Sequence, residues 1–334
     1  MFNILNLFLL VVWWSATCIS AHGIISLLRE SSYDLDILDA NQEGHYDGVQ
    51  FHSKKKQCDP VSKHVFYWLY TRENATGQLL NRSEPHMTES TTYYAKNPIK
   101  LLVHGWMGRT SQKQGLCTMS VKSYLQVGEY NVICVDWKTY SSDMTYAAAK
   151  TKAKLIAKDI ARVLDRITYN MTKGADMVHL IGHSMGAHIV GFVGKIMINQ
   201  IPRITGLDPA KPLYENSGSA DRLDKTDSLF VDVMHTNGDK NGIFSSMGHI
   251  DFYPNGGKSQ PNCSSSDRST GACSHSKAYY YYALSILTKE DFLAFNCSSW
   301  DNFTANNCYD SNTTYMGEFV DKEKVGNYYL IVNE

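Results

Sequence analysis

A short turn of the form Gly-x-Ser-x-Gly lies between a predicted strand and a predicted helix, in the segment Met-Val-His-Leu-Ile-Gly-His-Ser-Met-Gly-Ala-His of residues 177–188. A serine on so sharp a turn needs an unfavourable backbone conformation, and Gly182 and Gly186 let the strand and the helix pack closely around it. The turn exposes the Ser184 hydroxyl, and the following helix points backbone N–H groups at the space beside it. The segment therefore predicts a nucleophilic serine. The alternative is a glycine-rich packing turn without chemistry.

Apolar runs of strand length alternate with helical patterns along the chain. The strand-like runs are residues 64–70, 99–103, 131–135, 177–181 and 229–234. Between the third and the fourth, residues 147–167 carry apolar side chains at spacings of three and four, which indicates one buried helical face. This alternation is typical of a largely parallel sheet with helices on both faces, in which ligands bind at the carboxyl ends of the strands. We therefore predict an α/β fold in one domain, since no repeat or linker divides the chain.

The charge of the chain excludes one class of partner. Its 334 residues contain 32 Lys+Arg and 33 Asp+Glu, for a formal net charge of −1. A nucleic-acid-binding protein needs an excess of basic residues to neutralise phosphates. We therefore expect no nucleic-acid partner, and we expect any lipid partner to be met by local apolar contact.

The N-terminus has the pattern of a secretory leader. Residues 4–14 are apolar except for Asn6, and small residues follow them. The run is too short for a membrane span, so we predict a signal peptide over residues 1–21, a mature domain over 22–334 and secretion. No Lys or Arg precedes the run, which leaves an uncleaved anchor as the alternative.

Cysteines and glycosylation sequons fit an oxidising route. Removal of Cys18 with the leader would leave seven cysteines, of which the close pairs Cys263–Cys273 and Cys297–Cys308 suggest disulfides. One of the three others would then be unpaired, and Cys134, inside an apolar run, is our candidate for a free buried thiol; the other two are Cys58 and Cys117. Asn-x-Ser/Thr sequons predict glycosylation at Asn74, Asn81, Asn170, Asn262, Asn296, Asn302 and Asn312.

A serine nucleophile needs a histidine base, and the base needs a carboxylate to hold its tautomer. Downstream of Ser184 the first acid is Asp208, in Ile-Thr-Gly-Leu-Asp-Pro-Ala, at the end of another short apolar run. A turn residue before a proline is the alternative reading of Asp208. The candidate bases are His235, His249 and His275, and chain order does not choose among them. The position of His275 after Cys273, where a disulfide would fix a loop over the pocket, favours it only mildly.

The strand 99–103 ends in His104-Gly-Trp106. A glycine at such a strand end lets the backbone approach a substrate carbonyl closely. We expect an oxyanion hole formed by the backbone amides of Trp106 and Met185.

Together these motifs make the chain resemble the pancreatic-lipase superfamily of animal extracellular lipases, which have an α/β-hydrolase fold, and within it the arthropod phospholipases A1. The resemblance runs from Ile99 to the C-terminus. It is carried by His-Gly-Trp (104–106), Val-Ile-Cys-Val-Asp-Trp (132–137), Gly-His-Ser-Met-Gly-Ala-His (182–188), Gly-Leu-Asp-Pro-Ala (206–210), Val-Asp-Val-Met-His-Thr (231–236), Gly-His-Ile-Asp-Phe-Tyr-Pro-Asn-Gly-Gly (248–257) and Cys-Ser-His (273–275). It implies Ser184 as nucleophile, Asp208 as acid and His275 as base, and structural roles for His235 and His249.

Departures from the triacylglycerol lipases of that superfamily shape the expected substrate. The loop between Cys263 and Cys273 is short and polar where those lipases have a long lid, and the connection 235–248 is also short. We expect no C-terminal β-sandwich of the kind that binds a protein cofactor after residue 332, and therefore no colipase-type partner. The resemblance then favours a phospholipase A1 that cleaves the sn-1 ester at a lipid–water interface. A triacylglycerol or galactolipid lipase is the first alternative, and a non-enzymatic, yolk-protein-like lipid carrier is the second.

The superfamily also has a calcium loop after the catalytic acid. Four residues of this chain match its positions, the first two through backbone carbonyls and the last two through carboxylates: Ser219, Arg222, Asp224 and Asp227. We therefore expect a structural calcium ion and no cofactor for catalysis. The alternative reading of the two aspartates is solvated turn acids.

Overall fold

The sheet is the framework of the molecule. The computed structural model describes residues 61–84, 86–142, 144–169, 174–308 and 312–333. In this part of the chain eleven strands form one sheet. They are β1 (Phe66–Tyr70), β2 (Gln78–Leu79), β3 (Ile99–Val103), β4 (Asn131–Asp136), β5 (Val178–His183), β6 (Arg203–Leu207), β7 (Val231–Met234), β8 (Ile250–Pro254), β9 (Leu293–Asn296), β10 (Thr313–Tyr315) and β11 (Gly326–Leu330).

The strand order is β10-β9-β11-β8-β7-β6-β5-β3-β4-β1-β2. The seven central strands, from β11 to β4, run parallel, and antiparallel strands close both ends of the sheet. Central strands such as β3, β5 and β6 are buried at every position, as parallel strands covered on both faces must be. The α/β-hydrolase fold expected from the sequence is confirmed, with all five predicted strands present.

Helices cover both faces of the sheet. They are α1 (Leu116–Val127), α2 (Lys138–Ser141), α3 (Tyr146–Thr168), α4 (Met185–Ile196), α5 (Asp267–Thr270), α6 (Ala272–Ser285) and α7 (Trp300–Thr304). The two larger clusters of buried apolar side chains lie beneath these helices, one with side chains of α3 and α4 and the other with side chains of α1 and α6. Helix α4 lies between the sheet and α3 and is therefore apolar nearly all round, with ten buried residues.

The described helices include none that is both long and apolar enough to cross a bilayer. The predicted signal peptide, Cys18, Cys58 and the sequon at Asn170 lie outside the described residues. The six other sequon asparagines are exposed or half-buried.

The free thiol predicted at Cys134 is wrong. Cys134 lies in β4, and its sulfur is bonded to that of Cys117 in α1. The two residues are 17 apart in sequence and meet only because α1 packs across the sheet. The predicted disulfides Cys263–Cys273 and Cys297–Cys308 are confirmed.

A charged network stabilises the amino-terminal edge of the parallel strands. The Glu318 carboxylate lies 2.5 Å from the Lys100 ammonium and accepts hydrogen bonds from the hydroxyls of Tyr124 and Tyr282, at 2.7 and 2.8 Å. Arg203 donates to the Glu318 carbonyl at 2.9 Å. Burial alone would raise the pKa of Glu318, but the Lys100 and Arg203 charges bring this pKa below its usual value. The segment after β10 is thus fastened to the sheet at the edge opposite the strand ends that carry the predicted catalytic residues.

Candidate active site

Ser184 occupies the turn between β5 and α4, as the Gly-x-Ser-x-Gly motif predicts. Its φ of 57° and ψ of −123° lie in a region that a residue with a side chain rarely adopts. A Cβ atom on Gly182 would collide with the Gly186 carbonyl, and one on Gly186 would collide with the Val103 carbonyl. The two glycines therefore allow β3, β5 and α4 to meet at the serine.

Backbone hydrogen bonds hold this turn against the segment after β6. The Ser184 amide donates to the Leu207 carbonyl at 3.0 Å, and the Ala210 amide donates to the Ser184 carbonyl at 3.2 Å. Asp208 and Pro209 lie between these two partners. Nucleophile and acid are therefore fixed relative to one another through the main chain.

Asp208 is completely buried at the end of β6. One carboxylate oxygen accepts from the backbone amides of Thr236 and Asn237, at 2.8 and 3.0 Å, and the other lies 2.5 Å from His275 Nδ1. A Cβ on Gly242 would collide with this carboxylate, so the loop after β7 can pass over it only with a glycine there. Because Nδ1 donates to the carboxylate, Nε2 of His275 is the nitrogen left to accept a proton.

His275 lies in the first turn of α6, rather than in a loop as the sequence suggested. Cys273, which forms a disulfide with Cys263, precedes His275 by two residues. His183, the neighbour of Ser184, donates from Nε2 to the His275 carbonyl at 3.0 Å, and the two rings lie 4.5 Å apart. Burial, reinforced by the nearby His275, lowers the pKa of His183 well below its usual value, so this ring stays neutral and the His275 contact adds no second charge.

The other candidate bases have structural contacts, as the resemblance implied. His235 bonds the Asp251 carboxylate at 2.8 Å and the Ile243 carbonyl at 2.7 Å, and is completely buried. His249 accepts from the Val231 amide at 3.0 Å.

The loop after β3 lies against Ser184. A Cβ on Gly105 would lie 2.7 Å from the Ser184 Cβ, which accounts for the glycine. The indole of Trp137 donates to the His104 carbonyl at 2.9 Å, and the Met107 amide donates to the Ser141 carbonyl at 2.9 Å. Among the described residues, no backbone carbonyl accepts from the amides of Trp106 or Met185. Both amides are therefore available to an oxyanion, as the predicted hole requires.

One cavity of about 400 Å³ contains Ser184 and His275. Apolar side chains from three segments line it, among them Trp106, Leu116 and Tyr279. Its rim carries Trp106 and Met107, whose side chains are 39% and 58% exposed. The cavity is thus an apolar groove that is open to solvent beside the candidate nucleophile.

The residues matched to the calcium loop do not fit a calcium site in this arrangement. Ca²⁺ needs six to eight oxygen ligands around an open centre. Oδ1 of Asp224 instead accepts from the Thr226 amide and hydroxyl, at 3.0 and 2.8 Å. Lys195 donates to the carbonyl of Arg222 and the carboxylate of Asp227. In the described part of the chain, no group of three or more His, Cys, Asp or Glu side chains is placed to hold a metal ion.

Comparison with known proteins identifies the family of this chain. A family model described as Lipase matches residues 35–334. The chain belongs to the Lipase family. It is 32% identical over 298 residues to mouse pancreatic lipase-related protein 2, a match covering 82% of this chain and 61% of that protein. It is 31% identical over 286 residues to pancreatic triacylglycerol lipase of Myocastor coypus, covering 79% of this chain and 62% of that lipase.

A third relative in the Lipase family is described as inactive. Mouse inactive pancreatic lipase-related protein 1 is 35% identical over 289 residues, covering 79% of this chain and 60% of that protein. The chain thus spans about three fifths of the length of these relatives. Because active and inactive members are similarly related to it, the function of this Lipase-family chain depends on the residues of its own site.

Sequence reasoning missed two residues that hold the site. His183 was not singled out, although its place between Gly182 and Ser184 puts it beside any base. His188, one turn further along α4, accepts from the Leu223 amide at 3.1 Å and donates to the Ala210 carbonyl at 2.8 Å, which ties α4 to the segment after Asp208. The sequence signal that could have identified His188 is a histidine within an otherwise apolar, buried helix.

The neutral state of His188 predicts a pH dependence of stability. Burial lowers its pKa to about 3. In the unfolded chain this pKa is about 6.5, so the contribution of His188 is complete above pH 6.5 and is lost as the pH falls toward 3. Between pH 7 and pH 5 the loss is about 2 kcal/mol. Urea denaturation of the wild type and His188→Asn should therefore show a smaller loss in the variant by about this amount.

His86→Asn is the control for that measurement, because the His86 side chain is 62% exposed. It should lose as much stability between the two pH values as the wild type. Equal losses in His188→Asn and the wild type would contradict a neutral buried His188.

Proposed function

We propose that this chain hydrolyses carboxylic esters of lipids by acyl transfer through Ser184, Asp208 and His275. The observation that carries the proposal is the hydrogen bond of 2.5 Å between the buried Asp208 and His275, which lines the same cavity as Ser184. A buried carboxylate, an oriented imidazole and a serine on a strained turn supply a base and a nucleophile together.

The steps follow from this arrangement. Nε2 of His275 takes the Ser184 proton as Oγ attacks the ester carbonyl, and the tetrahedral oxyanion accepts hydrogen bonds from the Trp106 and Met185 amides. His275 then protonates the departing alcohol as the ester bond breaks. Water attacks the acyl-enzyme by the same route and releases the fatty acid. Loss of one oxyanion donor costs about 3 kcal/mol of barrier in comparable sites.

The loop between Cys263 and Cys273 supports the phospholipase A1 assignment. It folds into the four-residue helix α5, and its Asp267 carboxylate accepts from the Cys273 amide at 2.7 Å and the Ser274 hydroxyl at 2.6 Å. These hydrogen bonds hold the pKa of Asp267 below its usual value, although burial acts to raise this pKa. Because this loop is short and is held in place by these hydrogen bonds, it leaves room above the cavity for a polar phosphate head group. A triacylglycerol or galactolipid lipase is the alternative within the same chemistry.

A non-enzymatic lipid carrier is the alternative outside that chemistry. A carrier would need the cavity but neither the buried carboxylate nor the strained serine, each of which costs stability. The intact Ser184–Asp208–His275 set therefore supports an enzyme. The three disulfides within the described residues and the secretory-type leader pattern support secretion to the extracellular space.

The apolar rim supports a lipid–water interface as the site of action. In the described residues, the positive-φ residues other than glycine, Asn and Asp are Met107, Ser184 and Leu213. Met107 lines the cavity, and Leu213 follows Pro212, which also lines it. Strained turns thus present two exposed apolar side chains beside the opening, a costly arrangement in water that contact with lipid would offset. We propose that this rim meets lipid without a colipase-type partner.

Hydrolysis assays on labelled substrates test the activity and the substrate class together. The protein should release fatty acid from the sn-1 position of phosphatidylcholine faster than from the sn-2 position or from triolein. Ser184→Ala should lower the sn-1 rate by at least about 10³-fold while its circular dichroism stays unchanged, because the nucleophile is lost.

Ser90→Ala, at an exposed turn, is the control and should retain full activity. Faster release from triolein would replace the phospholipase assignment by the triacylglycerol one. Undiminished hydrolysis by purified Ser184→Ala would contradict the proposed mechanism.

The rim predicts a second result. The double variant Met107→Ser, Leu213→Ser should bind zwitterionic phosphatidylcholine vesicles at least about tenfold more weakly, since two exposed apolar side chains no longer enter the lipid. Its hydrolysis of a short, water-soluble ester, which does not need a lipid surface, should fall by a smaller factor than its vesicle binding. Vesicle sedimentation and a chromogenic acetate ester provide the two measurements.

Ile198→Ser, Val325→Ser is the matched control. These side chains are 70% and 63% exposed and lie at the opposite edge of the sheet, after α4 and before β11. The control should bind vesicles like the wild type. Equal weakening in both double variants, or none in either, would contradict a lipid-binding rim.

A further inference from the structure

The segment 219–227 follows the candidate acid and matches the calcium loop of the superfamily, yet a positive side chain of the same chain reaches into it. The Lys195 ammonium donates to the Arg222 carbonyl at 3.0 Å and to a carboxylate oxygen of Asp227. Both acceptors are among the oxygens that the sequence assigned to calcium. We propose that the Lys195 ammonium occupies the cation position of this loop, so that the fold needs no divalent cation there.

The close packing of α4 explains how the lysine reaches this position. A Cβ on Gly194 would collide with the Asp227 carbonyl, and one on Gly191 would lie 2.8 Å from an Asp227 carboxylate oxygen. Helix α4 therefore touches the loop directly, and Lys195, in its last turn, extends along the contact. The ammonium also lies 6.0 Å from the ring centroid of Phe192.

The carboxylate that meets Lys195 needs a positive partner. The Asp227 side chain is 1% exposed, and the Lys195 side chain is 25% exposed. A carboxylate in that environment is costly unless a cation and hydrogen bonds compensate it. The second Asp227 oxygen accepts from the Asp224 amide at 2.9 Å, so the ammonium and one amide satisfy the group between them.

A third predicted ligand is also partly engaged within the loop. Oδ1 of Asp224 accepts a hydrogen bond from the Thr226 amide at 3.0 Å. The single positive charge of the Lys195 ammonium thus takes the place of the double positive charge of a calcium ion. The inference goes beyond the proposed ester hydrolysis, since it concerns what holds α4 to the loop.

Lys154 supplies a matched control nearby. Its ammonium lies 2.5 Å from Asp221, but both side chains are more than half exposed. Like Lys195, it approaches the Phe192 ring, at 5.5 Å. An exposed pair of this kind contributes little to stability.

Thermal unfolding and calcium titration of the full chain test the proposal. The wild type should show the same Tm in chelator and in millimolar calcium, and no calcium binding by calorimetry. Lys195→Met should lower the Tm by about 5 °C in chelator, since a buried carboxylate loses its partner, and calcium should bind and restore the Tm. Lys154→Met should change the Tm by about 1 °C or less, with no calcium response.

A wild type that calcium stabilises would overturn the proposal, as would a Lys195→Met variant that stays stable in chelator or that calcium does not restore. If Lys195→Met is not recovered folded, Lys195→Gln, which keeps a donor for the Arg222 carbonyl, is measured in the same way. Neither readout involves turnover. Failure here is therefore distinguishable from failure of the proposed hydrolysis.

Discussion

The buried carboxylate of Asp208 is the interaction on which the rest of the site depends. An ionised carboxylate with no exposure to water is tolerable only with hydrogen-bond donors at its oxygens, and Asp208 has Thr236, Asn237 and His275. These donors come from the segment after β7 and from α6. The carboxylate can therefore be buried only when those elements have reached their final places, and the condition that stabilises Asp208 is also the condition that orients His275.

The two edges of the parallel strands have different roles. The carboxyl edge contains the unfavourable features: the left-handed backbone at Ser184, the exposed Met107 and Leu213, and the buried Asp208. The amino edge contains Glu318 with Lys100 and Arg203, in a network that is almost fully paired. Strain at the functional edge persists because the rest of the sheet is well packed and fixes it.

The sequence predicted the parts of the molecule that depend on local pattern. The turn at Ser184, the five strands and the helix 147–167 each have a period or a glycine spacing that a few residues determine, and all are present. The grouping of Asp208 with His275 followed from the family resemblance and not from chain order, because contacts between residues 67 apart leave no local signature. The disulfide of Cys134 and the position of Lys195 could not be predicted, because each depends on how a helix packs. The short strands β9 and β10 were missed because neither shows a period in the sequence.

We propose Ser184 as a nucleophile that His275 activates. The most direct measurement is covalent labelling with a serine-directed phosphonate, followed by mass spectrometry of the peptide containing residue 184. We expect one phosphonyl group per chain, on Ser184, with labelling much slower in His275→Gln. Labelling at another serine would contradict this proposal. Absence of stoichiometric labelling in folded protein would contradict it and favour the lipid carrier.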